Sequence, residues 1–309
     1  GGAYTASQQN AYHAPYMKNN PGIKIINDDS AGSAVAKLRA MKQAGNTTWD
    51  LVDAVASDAM MLCDEGLLDE IDHNNALASA PDGTPASEDF GDFIVSECFI
   101  PQIVYSTTFG YRKDKVNRPM SSICDVFDLK SFPGKRALEK KPINNLEWAL
   151  ICDGVAPSKI YDVLGTDAGV KQALAKLDTI KSKVVWWTSG SQTPQLLADG
   201  EVVVGSTYNG RLFALIEEQK QPVAMLWDWQ VFDLDGWVVP SGGKNKAETM
   251  KFLKFATDTQ RLADQAKFIS YGPTRASSAP LVGKHAKLGI DMAPHMPTDP
   301  NNSKTTLLF

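Results

Sequence analysis

The amino-acid sequence predicts an α/β protein with two lobes. Helical and extended segments alternate along the 309-residue chain, which is typical of sheets covered by helices. Hydrophobic residues make up 43% of the chain, and its length fits about two domains. Two long extended segments, near residues 104–106 and at 231–239, are candidates for carrying the chain from one lobe to the other.

The amino-terminal part sets out this alternation. The segment TASQQNAYHAPYMKNN predicts a helix from Thr5, and IKIIND after it predicts a short strand. A second helix ends at Gly45, the strand WDLVDAVA follows, and we expect Ser57 to cap the next helix. A βαβ pattern of this kind predicts one further strand just before Gly1.

The remainder continues the pattern after a loop at about residues 78–97. The segment ECFIPQIVYSTTFGYRKD predicts a long strand, and helical periodicity follows in SSICDVFDL, NLEWALICDG, SKIYDVLG and AGVKQALAKLDTI. Strands are predicted at SKVVWWTSG and EVVVGSTYNG, and one long helix after residue 245. We assign residues 1–104 and 237–272 to lobe 1, and residues 105–236 and 273–309 to lobe 2.

Composition and motifs argue against several classes of protein. The net charge of −5, without a basic stripe, argues against a nucleic-acid partner. No apolar run approaches the ~18 residues of a membrane span, and no catalytic, dinucleotide or metal motif is present. We therefore expect no cofactor and no metal. No signal peptide is visible, but the abrupt ends suggest trimming, consistent with a removed leader.

The four cysteines, Cys63, Cys98, Cys124 and Cys152, form no CxxC motif. An even number permits one or two disulfides in an oxidising compartment, with three complete pairings to choose from, and buried free thiols are equally compatible. Cys98 precedes the first crossover, so an enzyme with Cys98 as its nucleophile is the alternative function. A disulfide at Cys98 would exclude that alternative.

The strand at 231–239 carries the main candidate site. Its alternation places Asp233 and Asp235 on the same face as Trp237. Asp is disfavoured within a strand, and a buried carboxylate needs a positive partner, either Arg211 or the ammonium group of a ligand. Further candidates lie at strand ends or at the first crossover, where ligands bind in open α/β sheets. They are Tyr4, Ser57, Tyr105, Trp187, Tyr208 and Arg211.

Five segments resemble, in order, the periplasmic solute-binding proteins of ABC importers, in their polyamine-binding branch. The resemblance implies a type II periplasmic-binding-protein fold, in which each lobe is a mixed sheet with flanking helices, hinged around a central cleft. It also implies a periplasmic, monomeric receptor without catalysis, whose partners are a small cationic or zwitterionic solute and a membrane permease. The segments are DLVDAVASDAMMLCDEGLLDEID, FDLKSFPGKRAL, GEVVVGSTYNGRL, DLDGWVVPSGGKNKAETMKFLKFA and YGPTRASSA.

By this resemblance Asp235 holds an amine, Tyr208 packs on the methylenes of the ligand, and Ser57 and Tyr4 add contacts from lobe 1. Polyamine binders place further acids before the helix that matches NLEWAL, where this chain reads EKKPINN. Arg211 adds a positive charge instead. Two ligand classes therefore stay open: a polyamine such as putrescine or spermidine, and an amino-carboxylate such as γ-aminobutyric acid (GABA).

Overall fold

A long helical segment opens the described part of the chain, which comprises residues 2–29 and 33–308 of a computed structural model. The segment consists of helix α1 (Ala3–Gln8), a π-helical turn (Gln9–His13) and helix α2 (Ala14–Asn19). The elements that follow are α3 (Ala34–Ala44), β1 (Val52–Val55), α4 (Ala56–Asp64), α5 (His73–Ala76), α6 (Ala86–Phe90) and the long strand β2 (Ile100–Arg112).

The rest of the chain continues to alternate strands with helices. Strand β6 is the longest element, and α11 continues into a π-helical turn. The elements are β3 (Arg136–Glu139), α7 (Asn145–Cys152), α8 (Ile160–Leu164), α9 (Asp167–Asp178), β4 (Val184–Trp187), α10 (Gln192–Ala198), β5 (Val204–Tyr208), α11 (Asn209–Phe213), β6 (Val223–Val238), α12 (Lys246–Ala256), α13 (Thr259–Gln265), β7 (Gly272–Pro273) and β8 (Thr306–Leu308).

Two predicted helices differ in detail from the structure. The segment SSICDVFDL forms only a 3₁₀ turn (Ile123–Phe127), which Ser122 caps. The long helix predicted after residue 245 is divided into α12 and α13. The division occurs because the Asp258 side chain accepts a hydrogen bond from the Gln260 N–H at 3.0 Å and so starts a second helix.

The predicted strand IKIIND is wrong, since residues 23–28 form no strand. Ile23 and Ile25 are half-buried, while Lys24 and Ile26 are exposed, so the alternation of a strand is present. None of the described strands pairs with this segment. A strand exists only with a ladder partner, and the sequence pattern alone does not supply one.

The chain divides into two compact units. Strands β2 and β6 are the two elements that belong to both units, as expected for the predicted crossovers. The first unit is Gly1–Tyr105 with Asp233–Thr298, and the second is Ser106–Phe232 with Asp299–Phe309.

The units differ from the predicted lobes at three places. Tyr105 and residues 233–236 and 273–298, assigned to lobe 2 from the sequence, lie in the first unit. The end of β6 stays there because Asp235 pairs with Val55 in β1. Part of the later segment is fixed by Arg275, which forms a buried ion pair with Asp89 at 3.1 Å.

The sheets are mixed in direction. In the first unit, β1 is antiparallel to the end of β6, and β7 is antiparallel to the beginning of β2. In the second unit, β3 is parallel to both β4 and β5, whereas β5 is antiparallel to the end of β2. The predicted α/β class, with mixed sheets and flanking helices, is confirmed.

Each unit has its own aromatic-rich core. In the first unit Tyr12 packs edge-on against Trp237, with ring centroids 5.3 Å apart, and Phe252 completes the cluster. In the second unit Phe109 packs against Trp148 at 4.7 Å. Among residues 2–29 and 33–308, no helix has both the length and the apolar composition that a membrane span requires.

One disulfide lies in each unit, Cys63–Cys98 in the first and Cys124–Cys152 in the second. All four cysteines of the sequence are therefore paired. A disulfide of this loop length typically stabilises a domain by about 2–4 kcal/mol. The alternative of an enzyme with a Cys98 nucleophile is wrong, because a disulfide-bonded sulfur is not a thiolate.

Candidate ligand-binding site

Strands β1 and β6 bring carboxylates together on one face of the first unit. Asp53 lies opposite Trp237 and Val55 lies opposite Asp235, and directly opposed residues share a face. Asp53 and Asp235 are therefore diagonal neighbours, a relationship that places Cα atoms roughly 7–8 Å apart. Asp233 lies two residues earlier on the same face of β6.

Asp53 is held by three neutral donors. The Tyr4 hydroxyl at 2.8 Å, Gln8 Nε2 at 2.7 Å and Gln102 Nε2 at 3.2 Å all donate to its Oδ2. Burial raises the pKa of Asp53 to about 6, and these hydrogen bonds counteract part of that rise. The network continues inward, since Gln265 Nε2 donates to Gln102 Oε1 at 3.1 Å.

Asp235 lacks comparable support. Its Oδ1 is buried and has no hydrogen-bond partner among the described residues. Burial raises the pKa of Asp235 well above its usual range, and the charges of Asp53, Asp233 and Asp58 raise it further. A buried carboxylate oxygen without a donor is costly, so this position is prepared for a donor that the protein does not itself provide.

Asp233 is partly satisfied by its neighbours. The Tyr105 hydroxyl donates to its Oδ2 at 3.0 Å, and the Leu234 N–H donates to its Oδ1 at 2.8 Å. Burial nevertheless raises the pKa of Asp233. The ring of Tyr271 lies 5.9 Å from that of Tyr105, so aromatic side chains flank the acids.

No cation within the described residues neutralises this group of acids. None of the described ion pairs involves Asp53, Asp233 or Asp235. The same part of the chain contains no set of His, Cys, Asp and Glu side chains arranged to hold a metal ion. The arrangement is suited instead to a ligand that brings its own positive charge and N–H donors.

The second unit carries the other predicted contacts, Tyr208 and Arg211. Tyr208 ends β5, and Arg211 is exposed in α11 and makes no ion pair among the described residues. Gly190 packs directly against both, because a Cβ at that position would lie 2.7 Å from Tyr208 Cε2 and 3.1 Å from Arg211 Nε. The loop after β4 therefore positions the two side chains.

Three further predicted site residues differ in their exposure. Ser57 is exposed, and it does not cap α4, which begins at Ala56 after Val55. Trp237 is only 3% exposed and belongs to the core. Trp187 has no exposed surface and packs edge-on behind Tyr208, with ring centroids 6.2 Å apart.

Sequence reasoning missed Asp53 and its amide partners. Asp53 carries the same signal as Asp235, a carboxylate in the middle of a strand, and that signal was sufficient to find it. Gln8 and Gln102 are separated by 94 residues and carry no local signal for their contact. Of the predicted residues, the first unit brings together Tyr4, Asp233 and Asp235, and Tyr105 joins them through its hydrogen bond to Asp233.

Comparison with known proteins gives consistent matches over nearly the whole chain. Residues 11–298 match the family described as bacterial extracellular solute-binding protein. The chain is 35% identical over 294 residues to a γ-aminobutyric acid-binding protein of Pseudomonas aeruginosa, covering 95% of this chain and 80% of that protein. These relatives are binding proteins of ABC transporters and not enzymes.

Solved structures match the whole chain. A GABA receptor shares 31% identity with a TM-score of 0.83, covering 100% of this chain and 89% of that one. The binding protein MotA of A. tumefaciens B6, in complex with glucopine, shares 27% identity with a TM-score of 0.81, covering 100% and 91%. The predicted periplasmic-binding-protein fold is thereby confirmed.

Proposed function

Because this chain belongs to the bacterial extracellular solute-binding protein family, the solute receptors of ABC importers, we propose that its solute is an amino-carboxylate of the GABA class. The observation that carries the proposal is the group of acids Asp53, Asp233 and Asp235. It has no cation among the described residues, and one of its buried oxygens is unpaired. A primary ammonium group supplies the missing charge and three donors.

The surroundings of the acids suit an ammonium group. Tyr4 and Tyr105 hydrogen-bond to two of the acids, and Tyr271 packs edge-on or tilted against both rings. An aromatic face attracts a cation by about 0.5–2 kcal/mol, depending on desolvation. The ammonium end of the solute is therefore assigned to these acids.

Arg211, which makes no ion pair among the described residues, is the candidate partner for the carboxylate of the solute, because a guanidinium binds carboxylates in bidentate fashion. A polyamine would need a further acid instead. In the segment EKKPINN the one acid, Glu139, is already paired with Lys141 at 2.8 Å. The GABA-binding relative at 35% identity and the GABA receptor structure support the same ligand class.

Calorimetric titration with GABA and with putrescine, on the unmodified protein and on Arg211→Ala, tests this assignment. We expect GABA to bind, and Arg211→Ala to weaken it by about 100-fold, since truncating one partner of a desolvated charge pair costs about 2–5 kcal/mol. Lys171→Ala, which removes an exposed positive charge from the same unit, is the control and should bind GABA normally.

The comparison of the two ligands and the comparison of the unmodified protein with Arg211→Ala test different parts of the proposal. Tight binding of putrescine without binding of GABA would return the protein to the polyamine-binding branch. Normal GABA affinity in Arg211→Ala would retain the ligand class and remove Arg211 from the site.

We also propose a periplasmic location, a membrane permease as partner and a monomeric state. The two disulfides support an oxidising compartment. The protein isolated from a periplasmic extract should contain no free thiol before reduction and four after it.

A further inference from the structure

Three buried glutamines link the candidate site to helix α13. Gln8 belongs to α1, Gln102 to β2 and Gln265 to the end of α13, and they are 9%, 0% and 1% exposed. Hydrogen bonds join their side-chain amides, and both Gln8 and Gln102 donate to Asp53. A glutamine amide donates from its nitrogen and accepts at its oxygen, so its orientation decides which group Asp53 meets.

The orientation of Gln265 is fixed by Ser7. The Ser7 hydroxyl has one hydrogen atom, which it donates to the carbonyl oxygen of Tyr4 at 2.7 Å. Towards the Gln265 amide, 3.1 Å away, Ser7 Oγ can therefore only accept. The nitrogen of Gln265 must face Ser7, and its oxygen accepts from the Tyr12 hydroxyl at 2.6 Å. A backbone carbonyl, which can only accept, thus sets the polarity of Gln265.

Gln265 in turn fixes the orientation of Gln102. Gln265 Nε2 also lies 3.1 Å from Gln102 Oε1, and Gln8 Nε2 lies 3.0 Å from the same oxygen. Turning the Gln102 amide over would place its NH₂ group against two other NH₂ groups, neither of which can accept. Gln102 Nε2 is therefore held towards Asp53 Oδ2, at 3.2 Å.

We propose that Gln265 is a positioning residue of the ligand-binding site, which acts through Gln102 so that an N–H group and not an oxygen atom faces Asp53. An N–H donor stabilises the ionised carboxylate, whereas an amide oxygen in its place would favour the protonated form. The charge that Asp53 presents to an ammonium group then depends on a side chain two hydrogen bonds away. The effect on binding rests on the proposed function, whereas the orientation of the amides does not.

The titratable groups that face Asp53 do not replace this donor. Tyr4 and Tyr12 of the amino-terminal helical segment stay neutral, since burial raises the pKa of each well above its usual range. Asp235 of β6 carries a charge of the same sign as Asp53 and repels it. The hydrogen bonds to Asp53 therefore act against both burial and this repulsion.

Two variants separate this role from a general loss of stability. Gln265→Met and Tyr12→Phe both remove the hydrogen bond between these two side chains, but only Gln265→Met removes the donor to Gln102. Both should lower Tm. NMR titration of the Asp53 carboxyl carbon, in the unliganded protein, should give a higher pKa in Gln265→Met and an unchanged pKa in Tyr12→Phe. Gln265→Asn, whose shorter side chain draws the nitrogen away from Gln102, is the second variant and should behave as Gln265→Met does.

The pH dependence of GABA affinity is the second measurement. Because the pKa of Asp53 is about 6, a further rise lowers the ionised fraction most at around pH 6. Between pH 8 and pH 6 we expect the affinity of Gln265→Met to fall by about twofold or more beyond the fall in the unmodified protein. Tyr12→Phe should follow the unmodified protein.

The two measurements fail in different ways. An Asp53 pKa that is the same in Gln265→Met and Tyr12→Phe would overturn the proposal, whatever solute the protein binds. A higher Asp53 pKa with the pH dependence of the unmodified protein would also overturn it, since the charge of Asp53 would then not act on the solute. If the unmodified protein does not bind GABA, the proposed function fails, and the NMR titration still decides the orientation of Gln102.

Discussion

Two carboxylates of the first unit, Asp89 and Asp235, are held in opposite ways. The Asp89 carboxylate accepts hydrogen bonds from Arg275 Nη1 at 3.1 Å, the Ser277 hydroxyl at 2.6 Å and the Ser277 N–H at 2.9 Å. Arg275 is 1% exposed, and its other N–H groups donate to the carbonyl oxygens of Thr257 and Ala78. Asp235 has a buried oxygen with no donor among the described residues.

The difference separates a structural carboxylate from one that binds a ligand. The charge of Asp89 is neutralised by Arg275 within the fold, so the fold requires Asp89 whether or not solute is bound. Asp235 lies beside other acids, and each of them raises its pKa further. Its charge is compensated only by a molecule from outside, and it should therefore matter for binding and little for folding.

The largest expected effect is on stability, at Asp89. Asp89→Ala leaves the Arg275 guanidinium buried without its carboxylate, which should lower the free energy of unfolding by about 3–5 kcal/mol. Urea denaturation measures this, and Asp92→Ala, an exposed acid nearby, should change little. If Asp89→Ala costs less than about 1 kcal/mol, comparable to a surface ion pair, the structural assignment is wrong.

The converse effect is expected at Asp235. Asp235→Ala should weaken GABA binding by about 100-fold or more, since losing a desolvated charge partner costs about 2–5 kcal/mol. The Tm of the unliganded protein should stay level or rise, because one of several mutually repelling acids is gone. Calorimetry and a thermal melt on one preparation check both halves, and unchanged affinity would remove Asp235 from the site.

The stability of the unliganded protein should also depend on pH through the site. The folded pKa of Asp53, about 6, lies above the unfolded value, so the folded state binds more protons between about pH 4 and pH 6. The contribution of Asp53 to stability therefore falls as pH rises through that window. The raised pKa values of Asp233 and Asp235 act in the same direction.

Asp53→Asn should lose part of this dependence, so that its Tm rises relative to the unmodified protein more at pH 7 than at pH 4. Melts at both pH values, with Asp92→Asn as the control, measure the difference. A Tm difference that is the same at the two pH values would show that Asp53 does not hold a proton in this range.

The smallest effect is expected at Tyr105. Tyr105→Phe removes one neutral donor from Asp233, a hydrogen bond worth about 0.5–1.5 kcal/mol, so GABA affinity should change by less than about tenfold. Tyr161→Phe in the second unit should leave the affinity unchanged. A loss as large as that of Asp235→Ala would mean that Tyr105 touches the solute directly.

The sequence predicted the secondary-structure elements more accurately than the tertiary contacts between them. Periodicity identifies β1, β6 and most helices because it is a local property. The strand prediction at IKIIND failed because none of the described strands pairs with that segment. Trp237 is buried because Tyr12 packs against it. Both outcomes depend on residues that are distant in the sequence. Asp235 was predicted because a carboxylate within a strand is anomalous by itself, whereas the roles of Gln8 and Gln102 follow only from the tertiary contact.

The π-helical turn between α1 and α2 has a consequence for how such a site evolves. Tyr4, Gln8, Tyr12 and Tyr16 recur every four residues, a spacing that drifts by about 40° per step in a regular α-helix. The wider turn at Gln9–His13 compensates for part of that drift. Gln8 at one end of the segment therefore hydrogen-bonds to Asp53, while Tyr16 at the other end packs in the core. Deleting a single residue there would swing the first end by about 100° relative to the second. Insertions and deletions in this turn, more than substitutions, would therefore decide whether a descendant of this protein keeps its specificity.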